Sequence, residues 1–124
     1  MPLPATRYAD VLVLPVSGHI DHLVSDTFLA DLMPYAESCR SGGDALVLDM
    51  AGLEYISSAG LRVLMQFSKK VRPAGGRVVI ASMQKMVREV FDITKFTALF
   101  PIYENTPAAL AALSPAAVRA HAAG

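Results

Sequence analysis

Leu53-Glu54-Tyr55-Ile56-Ser57-Ser58-Ala59-Gly60-Leu61-Arg62-Val63-Leu64 is the stretch in which an apolar strand signal gives way to a strongly amphipathic helix signal. At the changeover, Ser57-Ser58-Ala59-Gly60-Leu61 places two hydroxyls and no bulky neighbour at a helix N-terminus. Such a terminus offers unpaired backbone N–H groups and the positive end of the helix dipole, so it can receive a phosphate from elsewhere or carry one on its own serine. The same residues also fit a plainer role, in which one serine caps the helix while Ala59 and Gly60 let it pack tightly on a sheet.

Downstream, Leu61, Leu64, Met65, Ser68 and Val71 fall on one helical stripe, with Arg62, Gln66, Lys69 and Lys70 off it, so the stripe packs on a sheet. Upstream, Ala45-Leu46-Val47-Leu48-Asp49-Met50 is a continuous apolar run, the mark of a strand covered on both faces. Val11-Leu12-Val13-Leu14-Pro15-Val16 predicts another strand, which Pro15 puts near an edge or a bulge. Between them, Leu29, Leu32, Met33 and Ala36 predict a helix over 21–39, bent or restarted around Ser25 and Pro34 and ended by Ser41-Gly42-Gly43. Pro73-Ala74-Gly75-Gly76 breaks the serine-led helix, and Val78-Val79-Ile80-Ala81 supplies a further buried strand. Ser82 is placed as the cap of a helix through Thr94, with Met86, Val90, Phe91 and Ile93 on its apolar side. A short strand over 99–103 and a helix opened by Thr106-Pro107 follow, and the alanine-rich segment 114–124 is expected to be a flexible tail.

Strand and helix signals thus alternate with short connections, which predicts a single α/β domain over 1–113. Its sheet should be mostly parallel, of four or five strands, with about four helices packed against it. Right-handed crossovers make the strands at 45–50 and 77–81 parallel, with their C-terminal ends at one edge; if the strand at 11–16 is parallel to them, Asp21, Ser57, Ser58 and Ser82 gather there.

The chain of 124 residues is 53% hydrophobic and 18% charged, which fits a folded globule and not disorder. No apolar run approaches the ~20 residues of a membrane span, the N-terminus does not read as a secretory signal, and Cys39 is the only cysteine. A cytoplasmic setting is therefore expected. A net charge of zero gives no reason to expect nucleic acid as partner. The charge is lopsided: residues 1–60 carry eight acids against two bases, and 61–124 nine bases against three acids.

Enzymatic readings lack parts. Phosphate-loop, dinucleotide and His-Glu-x-x-His patterns are all missing, and Ser58 does not sit in a Gly-x-Ser-x-Gly elbow. Of His19, His22 and His121, the first two read as polar loop and not as a metal site, and Cys39 reads as a small core residue.

Gly18-His19-Ile20-Asp21, Leu46-Val47-Leu48-Asp49-Met50, the block from Leu53 to Leu64, Gly75-Gly76-Arg77-Val78-Val79-Ile80 and Val87-Arg88-Glu89-Val90-Phe91-Asp92 together resemble the STAS domain of bacterial anti-sigma factor antagonists. The resemblance runs from about residue 8 to 113 and is most specific between Tyr55 and Leu64. It implies a non-enzymatic interaction switch without a cofactor. Its partner would be an anti-sigma factor that is also a serine kinase of the histidine-kinase-like ATPase type, phosphorylation would end binding, and a PP2C-type phosphatase would restore it. The family's acceptor serine falls on Ser58, with Ser57 as the alternative, because Ser57 stands where the family motif often has an aspartate. Partner contact would fall on Asp21, Ser57, Ser58, Ala59, Gly60, Leu61 and Arg62, with Asp21 beside the acceptor hydroxyl. The competing expectation is a related module without phosphorylation that holds a small ligand, nucleotide or lipid, or serves as an accessory subunit.

Overall fold

A computed structural model of the protein describes residues 4–123. Its elements are β1 Thr6–Tyr8, β2 Val11–Pro15, β3 Gly18–Ile20, α1 Ser25–Leu32, β4 Ala45–Asp49, β5 Leu53–Ile56, α2 Ser58–Val71, β6 Val78–Ala81, α3 Lys85–Ile93, β7 Ile102–Tyr103, α4 Thr106–Leu113 and α5 Pro115–Ala123. Short 3-10 turns at Met33–Ala36 and Phe96–Ala98 follow α1 and α3.

The main sheet runs β1-β2-β4-β6-β7, parallel except for the antiparallel pairing of β1 with β2. Side chains alternate across its strands and split the core in two. Leu12, Leu14, Leu46, Leu48 and Ile80 face the large cluster containing Phe28, Leu64, Phe67 and Phe91 of α1, α2 and α3. Val11, Val13, Ala45, Val47, Val79 and Ala81 face Ala109, Leu110 and Ala117 of α4 and α5. Helices therefore cover both faces, which is why β2, β4 and β6 read as unbroken apolar runs. Full burial of a side chain such as Leu64 or Phe67 contributes roughly 1.5–3 kcal/mol.

Several elements depart from the sequence reading. Pro15 does not mark an edge: β2 is interior, and the missed strand β1 takes the edge, pairing as far as Val13 and leaving Pro15 beyond its ladder. The helix expected over 21–39 shrinks to α1, because residues 21–24 form a turn around the Asp21 carboxylate and Pro34 falls in the 3-10 turn. In α2 the buried stripe also takes in Val63 and Phe67, while Met65 is only half-buried. Ser82 does not cap α3; it sits at φ 64°, three residues before the helix begins. Within α3, Val87 and Phe91 point inward, the latter edge-on to Phe96, and this rotation leaves Met86 and Ile93 exposed.

Residues 115–123, expected to fray, form α5. Ser114 holds its start: its hydroxyl donates to Asp10 Oδ1 at 2.6 Å and accepts the Ala117 N–H at 3.2 Å, while Arg77 donates to the Leu113 carbonyl at 3.0 Å. Cys39 is fully buried, and burial pushes its thiol up to about 11, in keeping with a core role.

Candidate functional site

The serine pair sits between the end of β5 and the start of α2, and the two hydroxyls have different surroundings. Ser57 is the N-cap, with extended backbone; its Oγ accepts the Gly60 N–H at 3.2 Å and its carbonyl the Leu61 N–H at 2.9 Å. Its own N–H donates to the Ile20 carbonyl at 2.8 Å, tying the α2 N-terminus to the end of β3. β3 and β5 form a separate two-stranded parallel sheet, so Ile20 and Ile56 lie side by side beneath the first turn of α2.

Gly60 rests on that pair. A Cβ at this position would lie 2.7 Å from Ile56 Cγ1 and 2.8 Å from Ile20 Cγ2, so only glycine lets α2 approach so closely. Leu61 is buried, Ala59 half-buried, and Arg62 exposed on the outer face. Ser58, the first helical residue, is exposed, and its hydroxyl makes no hydrogen bond to another described residue.

Asp21 follows Ile20 and is therefore next to the site in the chain, but its Oδ1 accepts the Leu23 and Val24 N–H groups at 2.9 and 3.2 Å. It orders the turn beside the serines and is not hydrogen-bonded to the Ser58 hydroxyl. That turn displays Leu23, 77% exposed, and Val24. Tyr55 projects from β5 beside His19, ring centroids 6.2 Å apart, and Met86, 73% exposed, opens α3, which packs along β5. The exposed residues Leu23, Val24, Tyr55 and Met86 add apolar surface that the motif alone did not indicate; Leu23 and Val24 lie in a turn, Tyr55 on an exposed strand position and Met86 in the first turn of α3. Ser82 lies past the end of β6, its N–H on the Tyr103 carbonyl, and is not bonded to Asp21, Ser57 or Ser58.

Among the described residues, no group of three or more His, Cys, Asp or Glu could hold a metal ion. No helix among them is long and apolar enough to cross a membrane. Among the described residues none hydrogen-bonds the exposed Ser58 hydroxyl, so it is open to solvent and to whatever approaches this surface.

The description of the STAS domain matches residues 3–109. BtrV of Bordetella bronchiseptica, a candidate anti-sigma factor antagonist, is 34% identical over 96% of this chain and 100% of its own length. A candidate anti-sigma factor antagonist of Thermotoga maritima shares the fold with a TM-score of 0.78 at 21% identity, over 90% of this chain and 93% of that one. The Bacillus cell fate determinant SpoIIAA, in its phosphorylated form, shares it with a TM-score of 0.66 at 13% identity, over 90% and 99%. STAS anti-sigma factor antagonists are binding proteins and not enzymes. On its sequence match and its fold, the chain belongs to the STAS domain family.

Proposed function

We propose that the protein is a phosphorylation-controlled interaction switch with Ser58 as the acceptor. The observation that carries this reading is the division of labour at the α2 N-terminus. Ser57 spends its hydroxyl on the cap, whereas the exposed Ser58 hydroxyl is left for a kinase. The unphosphorylated form binds an anti-sigma factor that is itself a serine kinase of the histidine-kinase-like ATPase type, and so frees that factor's target. A PP2C-type phosphatase resets the switch. Asp21, Ser57, Ser58, Ala59, Gly60, Leu61 and Arg62 form or shape the contact surface, the buried ones by holding α2 in place.

A phosphate on Ser58 adds about −1.5 to −2 charges at the positive end of α2. The helix dipole accommodates that charge, so the fold stays put while a partner packed on the surface meets bulk and repulsion. Proteins of this fold include one solved in a phosphorylated form, and BtrV, the relative described above, is a candidate anti-sigma factor antagonist; both support the reading.

The test is capture from the native cell extract with wild-type, Ser58→Ala and Ser58→Asp baits. A histidine-kinase-like ATPase retained by wild type and Ser58→Ala but lost by Ser58→Asp is the expected outcome, with phosphate mapped to Ser58 after incubation with the captured kinase and ATP. Equal retention by all three baits, or phosphate on Ser57, would overturn it.

A further inference from the structure

At the far end of α2 from Ser58, a cavity of about 490 Å³ opens between the helix's last turn, the start of β6, the 96–101 connection and the end of α4. That volume lies within the roughly 300–1,000 Å³ of small-molecule sites. Its lining includes Val79, Leu99, Phe100 and Leu113 together with two arginines, Arg72 and Arg77, and no aspartate or glutamate.

The two arginines are differently engaged. Arg77 donates to the Leu113 carbonyl at 3.0 Å and lies within electrostatic reach of Asp10. Arg72 has no side-chain hydrogen bond or ion pair with another described residue. The carbonyls at this helix end do not occupy the cations either, since those of Ser68, Val71 and Arg72 accept the N–H groups of Arg72, Gly76 and Gly75. A cation here complements the negative end of the α2 dipole, but that role needs neither a second arginine nor a cavity beside it.

We propose that this cavity binds a small organic carboxylate, with its apolar body against Val79, Leu99, Phe100 and Leu113 and its head group on Arg72 and Arg77. A planar carboxylate matches the guanidinium fork, and an apolar body buries surface that a bare inorganic anion would leave wet. The site is independent of the Ser58 switch and stands or falls separately.

The test is a ¹⁵N amide chemical-shift titration of the whole chain with octanoate, and with octan-1-ol as the uncharged match. Octanoate should give saturable shifts centred on residues 76–80 and 98–101, and octanol should bind at least tenfold more weakly. Arg72→Gln should weaken octanoate at least tenfold while its remaining spectrum overlays the wild type, and Arg72→Lys should recover part of the loss. Ser58→Asp should bind octanoate as wild type does. Absence of saturable shifts, shifts centred elsewhere, or equal binding of octanol or of Arg72→Gln would overturn the proposal. Should Arg72→Gln fail to fold, the octanoate–octanol comparison on the wild-type chain decides alone.

Discussion

Ser57 and Ser58 differ by one position and by almost everything physical. Ser57→Ala removes the oxygen that accepts the Gly60 N–H, and loss of an N-cap costs about 1 kcal/mol. Ser58→Ala removes a hydroxyl already in water and should leave urea stability within about 0.5 kcal/mol of wild type. Urea melts of the two variants therefore separate the structural serine from the available one, and equal losses would contradict the assignment. Gly60 carries the opposite expectation to helix propensity. Glycine to alanine inside a helix ordinarily gains about 1 kcal/mol. Here the added methyl meets both Ile56 and Ile20 at under 3 Å, so overpacking at roughly 1–3 kcal/mol wins and Gly60→Ala should melt earlier than wild type. A raised melting temperature would show that Ile20 and Ile56 yield more easily than their packing implies.

Among the elements, legibility followed periodicity. The strands β2, β4 and β6 and the helix α2 were plain in the sequence because burial on both sheet faces, or one long amphipathic stripe, writes itself over many consecutive residues. The position of the serine pair was plain for a related reason, since a helix start after a strand end is a local signal; which serine caps α2 was not, and the structure gives that role to Ser57. What failed to show is short or held by distant partners. Thr6-Arg7-Tyr8 is largely exposed and becomes a strand by pairing with 11–13, and the three-residue β3 becomes one by pairing with β5, from Gly18 opposite Leu53 to Ile20 opposite Ile56. The exposed apolar residues Leu23, Val24 and Tyr55 had no periodic signature, and Met86 had one that pointed inward although the side chain is exposed. The alanine-rich 114–124 segment lacked a stripe, yet Ser114 anchors α5 through Asp10, 104 positions away in the chain. Ser114→Ala should therefore cost about 1 kcal/mol as a lost cap and speed amide exchange across residues 115–123. Unchanged exchange there would mean that Ala117 packing alone holds the helix.

At the scale of the whole molecule, α2 is a rigid strut of 14 residues, about 20 Å long, separating the serine surface from the arginine-lined cavity. Charge is also distributed by place: β1 and the β1–β2 and pre-β4 connections gather Asp10 and Asp44 against Arg7 and Ser114. Asp44 accepts two hydrogen bonds from Arg7, at 2.9 and 3.0 Å, and these hold its carboxyl below the usual range. Asp10 is held low chiefly by the Ser114 hydroxyl, then by its own backbone. A carboxylate whose folded value is depressed binds protons more readily in the unfolded chain, so its contribution is present above about pH 4 and is lost as pH falls through the folded values. The urea midpoint should thus be steady near neutrality and fall below about pH 4. Arg7→Gln should shrink the part of that fall owed to Asp44, Ser114→Ala the part owed to Asp10, and together more than either alone, because the two carboxylates have separate donors. Acid limbs identical in all four proteins would place the pH dependence on carboxylates other than Asp10 and Asp44.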